Sequence, residues 1–360
     1  MELESFPIRP IRRRRSATEH PEQQFRSPAD SVVRDPAFLL GVATAAYQIE
    51  GAVSEDGRLP SIWDTFSATP GKVLHGDTGA VACDHYHRWE QDVDLLADLN
   101  VDAYRLSIAW PRVMDAVGRP NPQGLAFYRQ LLRRLKDKGI RTSVTLYHWD
   151  LPQHLEDAGG WRNRATAYRF AEYADLVSRE LAGLVDFWST LNEPWCSAML
   201  GYGTGHHAPG VADLQAANEA MHHLLLAHGL ALAALRRNDP AAQKGIVINV
   251  GRGTTDGTTP ADARAAELFE LQHNDWVLDP LLRGQYPAGC TTNYGPRRAR
   301  RCRTATWPSS RRRSTSSALI TTSAPMCVRP DQGAMWRRRW PASSARRWAG
   351  RCTRTACATC

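Results

Sequence analysis

The chain has 360 residues, a formal net charge of +8, 42% hydrophobic residues and eight cysteines, and no apolar run in it is long enough to span a bilayer. The basic balance, which would suggest a nucleic-acid or membrane partner, sits at one end. Residues 290–360 carry 16 Arg, no Lys, a single acidic residue (Asp331) and six cysteines (Cys290, Cys302, Cys327, Cys352, Cys357, Cys360), a net +15, while residues 1–289 hold 29 basic and 36 acidic residues, a net −7.

Residues 1–35 are polar and proline-dotted, and Arg12-Arg13-Arg14-Arg15 is not followed by the apolar run that a secretory or twin-arginine signal needs. The segment reads as a disordered leader. Strand-like and helix-like patterns then alternate, which predicts βαβ units around a parallel sheet. Strand candidates end at Ala46, Ile108, Leu146, Leu191 and Ile248, with helical periodicity over Trp89–Leu99, Gly124–Lys138, Ala165–Ala182 and Leu214–Arg237. Pro122-Gln123-Gly124 opens the second helix and Lys138-Gly139 closes it with a glycine C-cap. Between strands four and five lies a long insertion, Trp195–Gly210, rich in Gly, His and Pro. Loops of that length are tolerated on the catalytic face of a barrel. The stretch around Leu224–Leu235 is the most apolar helix, but it is interrupted by His228 and too short to cross a membrane. The two cysteines of the body, Cys83 and Cys196, need not pair, and a cytoplasmic setting is expected.

The most informative stretch is Phe187-Trp188-Ser189-Thr190-Leu191-Asn192-Glu193-Pro194, a buried-looking strand that ends in an Asn-Glu pair and is stopped by proline. Side chains leaving a parallel strand at its carboxyl end point into the mouth of the sheet or barrel. A carboxyl group there with a carboxamide beside it suits general acid chemistry on a sugar. Alone, an Asn-Glu-Pro is a loop glutamate after a strand; its company decides otherwise. Residues 38–51 (Phe-Leu-Leu-Gly-Val-Ala-Thr-Ala-Ala-Tyr-Gln-Ile-Glu-Gly), 61–66 (Ser-Ile-Trp-Asp-Thr-Phe), 83–88 (Cys-Asp-His-Tyr-His-Arg), 103–112 (Ala-Tyr-Arg-Leu-Ser-Ile-Ala-Trp-Pro-Arg) and 145–152 (Thr-Leu-Tyr-His-Trp-Asp-Leu-Pro) occur in the order found in family 1 glycoside hydrolases of the β-glucosidase type. The chain resembles that family from about Phe38 to Tyr286. The resemblance implies an α/β fold, a (β/α)8 TIM barrel, of which about the first five β/α units are present in residues 36–289.

It also implies roles. Retaining glycosidases use two carboxyl groups about 5–5.5 Å apart, one as nucleophile and the other as acid and then base. By resemblance Glu193 is the acid/base, protonated when the glycosidic bond breaks and ionised when water attacks. Asn192 would hydrogen-bond the sugar 2-hydroxyl, Gln48, His148 and Trp149 would grip the 3- and 4-hydroxyls, and Arg105 would orient the nucleophile and keep it ionised. Taken singly, Gln48 reads as a turn residue, Trp149 as a core aromatic, His148 as a core histidine and Arg105 as a structural ion-pair partner; their joint placement at strand ends favours the functional reading. A metal centre is the competing chemistry, because Cys83, His85, His87 and the pairs His206-His207 and His222-His223 offer ligands. Adjacent helical residues diverge by about 100°, so His222 and His223 cannot share an ion, and the Cys-x-His-x-His run falls where the resemblance accounts for it. No metal and no cofactor are expected.

The family's nucleophile is a glutamate in a Thr-Glu-Asn-Gly stretch of the seventh strand, and that tetrapeptide occurs nowhere in the chain. The tail explains why. If the first two bases of each tail codon are taken as bases two and three of an original codon, Trp348–Cys360 permits (Leu/Met)-Gly-Trp-Glu-Val-Tyr-Pro-Asp-Gly-Leu-Arg-Asp-Leu. Ser316–Ser323 likewise permits Phe-Leu-Gly-Ala-Asn-Tyr-Tyr-Val, and Thr304–Pro308 permits Asp-Gly-Asp-Leu-Ala. All three resemble family segments in family order, so a frameshift near Pro287–Cys290 is expected, with residues 290–360 a disordered out-of-frame tail. An arginine-rich nucleic-acid arm is the competing reading, with Arg311-Arg312-Arg313 and Arg337-Arg338-Arg339 on phosphates and Trp307, Trp336, Trp340 and Trp348 stacking on bases. No recognisable motif supports it, and only non-specific polyanion binding is expected. The reading is a retaining β-glucosidase acting on cellobiose or aryl-β-glucosides by double displacement, inactive in this chain for want of its nucleophile. The alternatives are a non-catalytic remnant that binds sugars or polyanions and, within the enzyme class, a 6-phospho-β-glucosidase. No specific nucleic acid and no membrane are expected as partners. Oligomeric state is open. With five strands, the sheet would leave edge groups unpaired, and the chain is expected to fold incompletely or aggregate.

Overall fold

The computed structural model of the chain describes Asp35, residues 38–255 and 257–288, and, as backbone, the strands Ser317–Thr322 and Met326–Cys327. The chain divides into two units, Met1–Leu39 and Leu40–Cys360, and every element below belongs to the second. The predicted leader, apart from Asp35, and the tail, apart from those two strands, lie outside the described residues.

Five strands follow one another through the body: β1 (Gly41–Ala43), β2 (Ala103–Ser107), β3 (Arg141–Tyr147), β4 (Phe187–Asn192) and β5 (Gln243–Val250). They pair in parallel and in sequence order, and the strand Ser317–Thr322 continues the sheet beyond β5, with Gly245 opposite Ser317 and Val250 opposite Thr322. Strands in sequence order joined by helical crossovers are the arc of a (β/α)8 barrel. Residues 36–289 thus supply the five strands expected of them, and one strand from the tail, Ser317–Thr322, joins the same sheet. The added strand, Ser-Ala-Leu-Ile-Thr-Thr, lies in the longest arginine-free stretch of the tail and carries three β-branched residues, which suit an extended backbone. It also falls within Ser316–Ser323, the segment whose back-reading resembles one that the family carries between its fifth and seventh strands.

The crossover helices start and stop where capping chemistry dictates. His85–Asp98 joins β1 to β2, and Pro122–Asp137 joins β2 to β3. The latter begins with Asn121 accepting from the Gln123 amide and ends at Gly139, whose φ of +74° suits glycine. Arg164–Glu180 is capped by Asn163 and Leu214–Asn238 by Asp213, each accepting an amide hydrogen two residues on. Their apolar faces pack on the sheet: Trp110 stacks on Tyr173 with centroids 4.9 Å apart, and the Tyr173 hydroxyl donates to the carbonyls of Ile108 and Leu146. No described helix is long and apolar enough to cross a membrane.

Two expectations are corrected. The first strand does not run on to Ala46. It ends at Ala43, and residues 46–49 form a short helix because the Ala46 amide donates to Ser107 Oγ and the Gln48 amide turns back to the Ala45 carbonyl. The insertion Trp195–Gly210 is not an open loop either, since Cys196–Gly203 forms a buried π-helical turn. Its glycines are there for close approach: a Cβ at Gly201 would lie 2.6 Å from the Ala208 carbonyl oxygen.

Candidate active site at the carboxyl end of the sheet

Glu193 and Trp149 each follow the end of a strand, and each has a left-handed backbone, with φ of +47° and +79°. Such conformations cost a non-glycine residue energy and gather at functional sites. At Glu193 the cause is local. The pairing of β4 with β5 shifts register between Ser189 and Asn192, as at a bulge, and the Glu193 amide then donates to the Val247 carbonyl at 2.9 Å. Pro194 ends the strand and the π-helical turn begins, with the Cys196 amide on the Glu193 carbonyl.

Asn192 ties three strands together. Its Oδ1 accepts from Arg105 Nη2 of β2 at 2.5 Å, and its backbone carbonyl accepts from the Trp149 indole Nε1 at 2.9 Å. A guanidinium has no acceptor, so the amide is fixed with its oxygen towards Arg105 and its NH2 left to donate elsewhere. Arg105 is partly buried, and its Nε makes no hydrogen bond among the described residues. Burial draws the guanidinium below its ordinary value, and the charge of Glu193 opposes that shift. His148, beside Trp149, is buried with neither ring nitrogen hydrogen-bonded among the described residues. Burial, helped by the Arg105 charge, pushes its pKa down to about 3, so the imidazole is neutral at ordinary pH and offers one donor and one acceptor.

The structure thus brings Arg105, Trp149, Asn192 and Glu193 into one connected group with His148 in the field of Arg105. Gln48 stands apart, exposed on the short helix after β1, and no hydrogen bond joins its side chain to the others among the described residues. Several neighbours were not foreseen from the sequence. His207 packs between Trp149 and Trp63, with centroids 5.2 and 5.5 Å away, and burial lowers its pKa to about 4. Cys196 Sγ lies 3.4 Å from Glu193 Oε2, and Asn249 and His273 close round it from β5 and the helix turn after Glu270. The only available signal was the position of Cys196 three residues after Glu193, which places it over the same strand end.

The histidines weighed as metal ligands are otherwise engaged. His85 bonds Asp92, His87 bonds Asp84 and Glu55, His206 bonds Thr204, His222 bonds the Tyr286 hydroxyl, and His223 bonds the Trp161 carbonyl. Cys83 is an exposed thiol.

What the arrangement can do follows from these groups. A carboxyl group at the mouth can pass a proton, an amide donor beside it can bind a hydroxyl, and a neutral imidazole can bind another. An arginine with an unused Nε can hold an anion next to them. The family model described as glycosyl hydrolase family 1 matches residues 34–314. β-Glucosidase A of Acetivibrio thermocellus is 46% identical over 258 residues, covering 71% of this chain and 58% of that protein. The family 1 β-glucosidase of Exiguobacterium antarcticum superposes with a TM-score of 0.76 at 41% identity, over 81% of this chain and 66% of the other. Virulence factor SghA of Agrobacterium tumefaciens, solved with its substrate analog salicin, gives 0.71 at 47% identity over 72% and 57%. The chain spans 58% or less of the first three curated relatives it matches.

Proposed function

Because the chain belongs to glycosyl hydrolase family 1, we propose that its chemistry is that of a retaining β-glucosidase, with Glu193 as the acid/base. The substrate class is a terminal β-D-glucosyl unit on glucose, as in cellobiose, or on an aryl aglycone such as that of salicin. In the first step Glu193 gives its proton to the glycosidic oxygen as a carboxylate nucleophile attacks the anomeric carbon from the opposite face. In the second it takes a proton from the water that displaces the enzyme. Asn192 donates through its NH2 to the 2-hydroxyl and the neutral His148 binds a 3- or 4-hydroxyl, with Gln48 on the short helix after β1 as a further contact, while the Trp149 N–H, given to the Asn192 carbonyl, keeps Asn192 in place. The observation that carries the reading is the group at the end of β4, where Arg105 and Trp149 both fix Asn192 beside Glu193.

In this chain the reaction stops before its first covalent bond. No Thr-Glu-Asn-Gly occurs to supply the nucleophile. Loss of a nucleophile costs many decades of rate. A frameshift near residues 287–290 is the proposed cause. Cys83 and Cys196, both thiols, fit a reducing, cytoplasmic setting. Titration of the full chain with salicin, followed by tryptophan fluorescence, tests the reading. We expect saturable binding, weakened about tenfold by Asn192→Ala, which is what a hydrogen bond of about 1.4 kcal/mol is worth. Binding that Asn192→Ala leaves unchanged would rule out Asn192, and with it the site.

A further inference from the structure

The backbone of Glu193 is held by the Val247 carbonyl of β5 and by the amides of the turn that follows it, but its carboxyl group is held by something else. Cys196 Sγ approaches Glu193 Oε2 at 3.4 Å, in range for a thiol donor. From the far side Asn249 Nδ2 donates to the same sulfur at 3.6 Å and also lies 3.4 Å from His273 Nε2. His273 is buried, its ring 4.4 Å from that of Trp195. The contacts run from the end of β4 through the π-helical turn to β5 and the helix turn Leu271–Asp275.

We propose that Cys196 is a positioning residue for Glu193, its thiol holding one carboxyl oxygen while Asn249 holds the thiol, so that β5, which already holds the Glu193 backbone, braces the carboxyl group too. Its meaning for catalysis rests on the acid/base role of Glu193, but the contact can be read without turnover. The π-helical turn suits this role. It sets the Cys196 amide on the Glu193 carbonyl, so backbone and side chain of one residue grip backbone and side chain of the other. A thiol is a weak donor, able to hold the carboxyl group while leaving it free to exchange its proton.

The test reads the thiol itself. The alkylation rate of Cys196 by iodoacetamide is followed against pH in the full chain, by mass spectrometry of the peptide that carries it, with exposed Cys83 as the internal reference. Among the described residues, the titratable groups in contact with the sulfur or its partners include Glu193 from the end of β4 and His273 from the following helix turn, with Glu270 near His273 and Arg105 of β2 coupled to Glu193. Burial pushes His273 down to about 4, so it stays neutral through the alkaline range. A carboxylate at the sulfur opposes thiolate formation, whereas an amide donor favours it. Glu193→Gln is therefore expected to move the Cys196 profile to lower pH by about one unit, roughly tenfold faster alkylation below the midpoint. Asn249→Ala is expected to move it the opposite way, with Cys83 unmoved in both. Opposite shifts cannot come from general loosening, which would speed both variants alike. Shifts of the same sign, or no shift in either variant, would overturn the proposal. Failure of salicin to bind would not touch it, so the two readings fall separately.

Discussion

Glu193 and Trp149 accept left-handed backbones where glycine would sit at no cost, and that cost is of the order of 1 kcal/mol or more per residue. The strain is repaid in placement, because it turns each side chain off the end of its strand into the mouth of the sheet. Glu193→Gly should then be more stable to urea than Glu193→Ala by about 1 kcal/mol, since both lose the carboxyl group and only glycine relieves the backbone. Equal midpoints would show that the backbone carries no strain. Asp150, one residue beyond Trp149, is fully buried, and neither carboxyl oxygen bonds another residue among those described. Burial raises its pKa to about 7, with its own amide and the Arg58 charge opposing. A carboxyl group raised in the folded state contributes stability that is fully present below its unfolded value near 4 and is lost as pH rises through about 7. Unfolding free energy should fall by a few kcal/mol between pH 4 and pH 7, and Asp150→Asn should flatten that fall. An unchanged slope in the variant would assign the pH dependence elsewhere. His148, Trp149, Asn192 and Glu193 were singled out in the sequence because each stands at or just past the end of a β-patterned run, whereas Arg105, expected at a strand end, lies in the middle of β2. Cys196, Asn249 and His273 were not, because they meet only round the turn that follows β4, and His207 was not, because it reaches Trp149 and Trp63 from far along the chain; no period in the sequence records either meeting.

At the level of the elements, the crossover helices were readable to within a few residues because their ends are written in local chemistry. Asn121 and Asn163 cap, Pro122 opens a helix, and Gly139 closes one. The π-helical turn Cys196–Gly203 was not readable, since glycine, which usually marks a loop, here serves close packing. Gly124 shows the same use inside the helix Pro122–Asp137, where a Cβ would meet the Arg112 carbonyl oxygen at 2.1 Å. That carbonyl belongs to the segment anchored by the buried Arg112–Glu50 ion pair and by Arg112 lying over the Tyr86 ring, so it has little room to move. Gly124→Ala should destabilise the body by about 2–3 kcal/mol despite the better helix propensity of alanine. A variant as stable as the parent in chemical denaturation would mean that the helix can shift and that the close approach is not enforced.

In the second unit the main sheet has six parallel strands, and Gly253–Thr254 pairs separately with Met326–Cys327. Among the described residues, the outer edge of β1 and that of Ser317–Thr322 pair with nothing, and Leu40 and Val42 are exposed beside the first of these edges. Unpaired edges with apolar neighbours favour association between chains. Purified at micromolar concentration, the chain should elute from size exclusion as a broad, high-mass distribution. A sharp monomer peak with a cooperative thermal transition would contradict that expectation. The strand order of the body was legible because successive βα units leave little choice of neighbour, whereas the sixth strand is a short arginine-free stretch inside a tail whose overall composition reads as unfolded. The measurement that bears most directly on the central claim is aryl-β-glucoside hydrolysis by the 360-residue chain beside a product whose gene is restored to frame at the codons for residues 286–290. The first should release no aryl group, and the second should turn over steadily, losing two or more orders of magnitude on Glu193→Gln. Turnover by the 360-residue chain, or turnover by the restored product that survives Glu193→Gln, would contradict that claim.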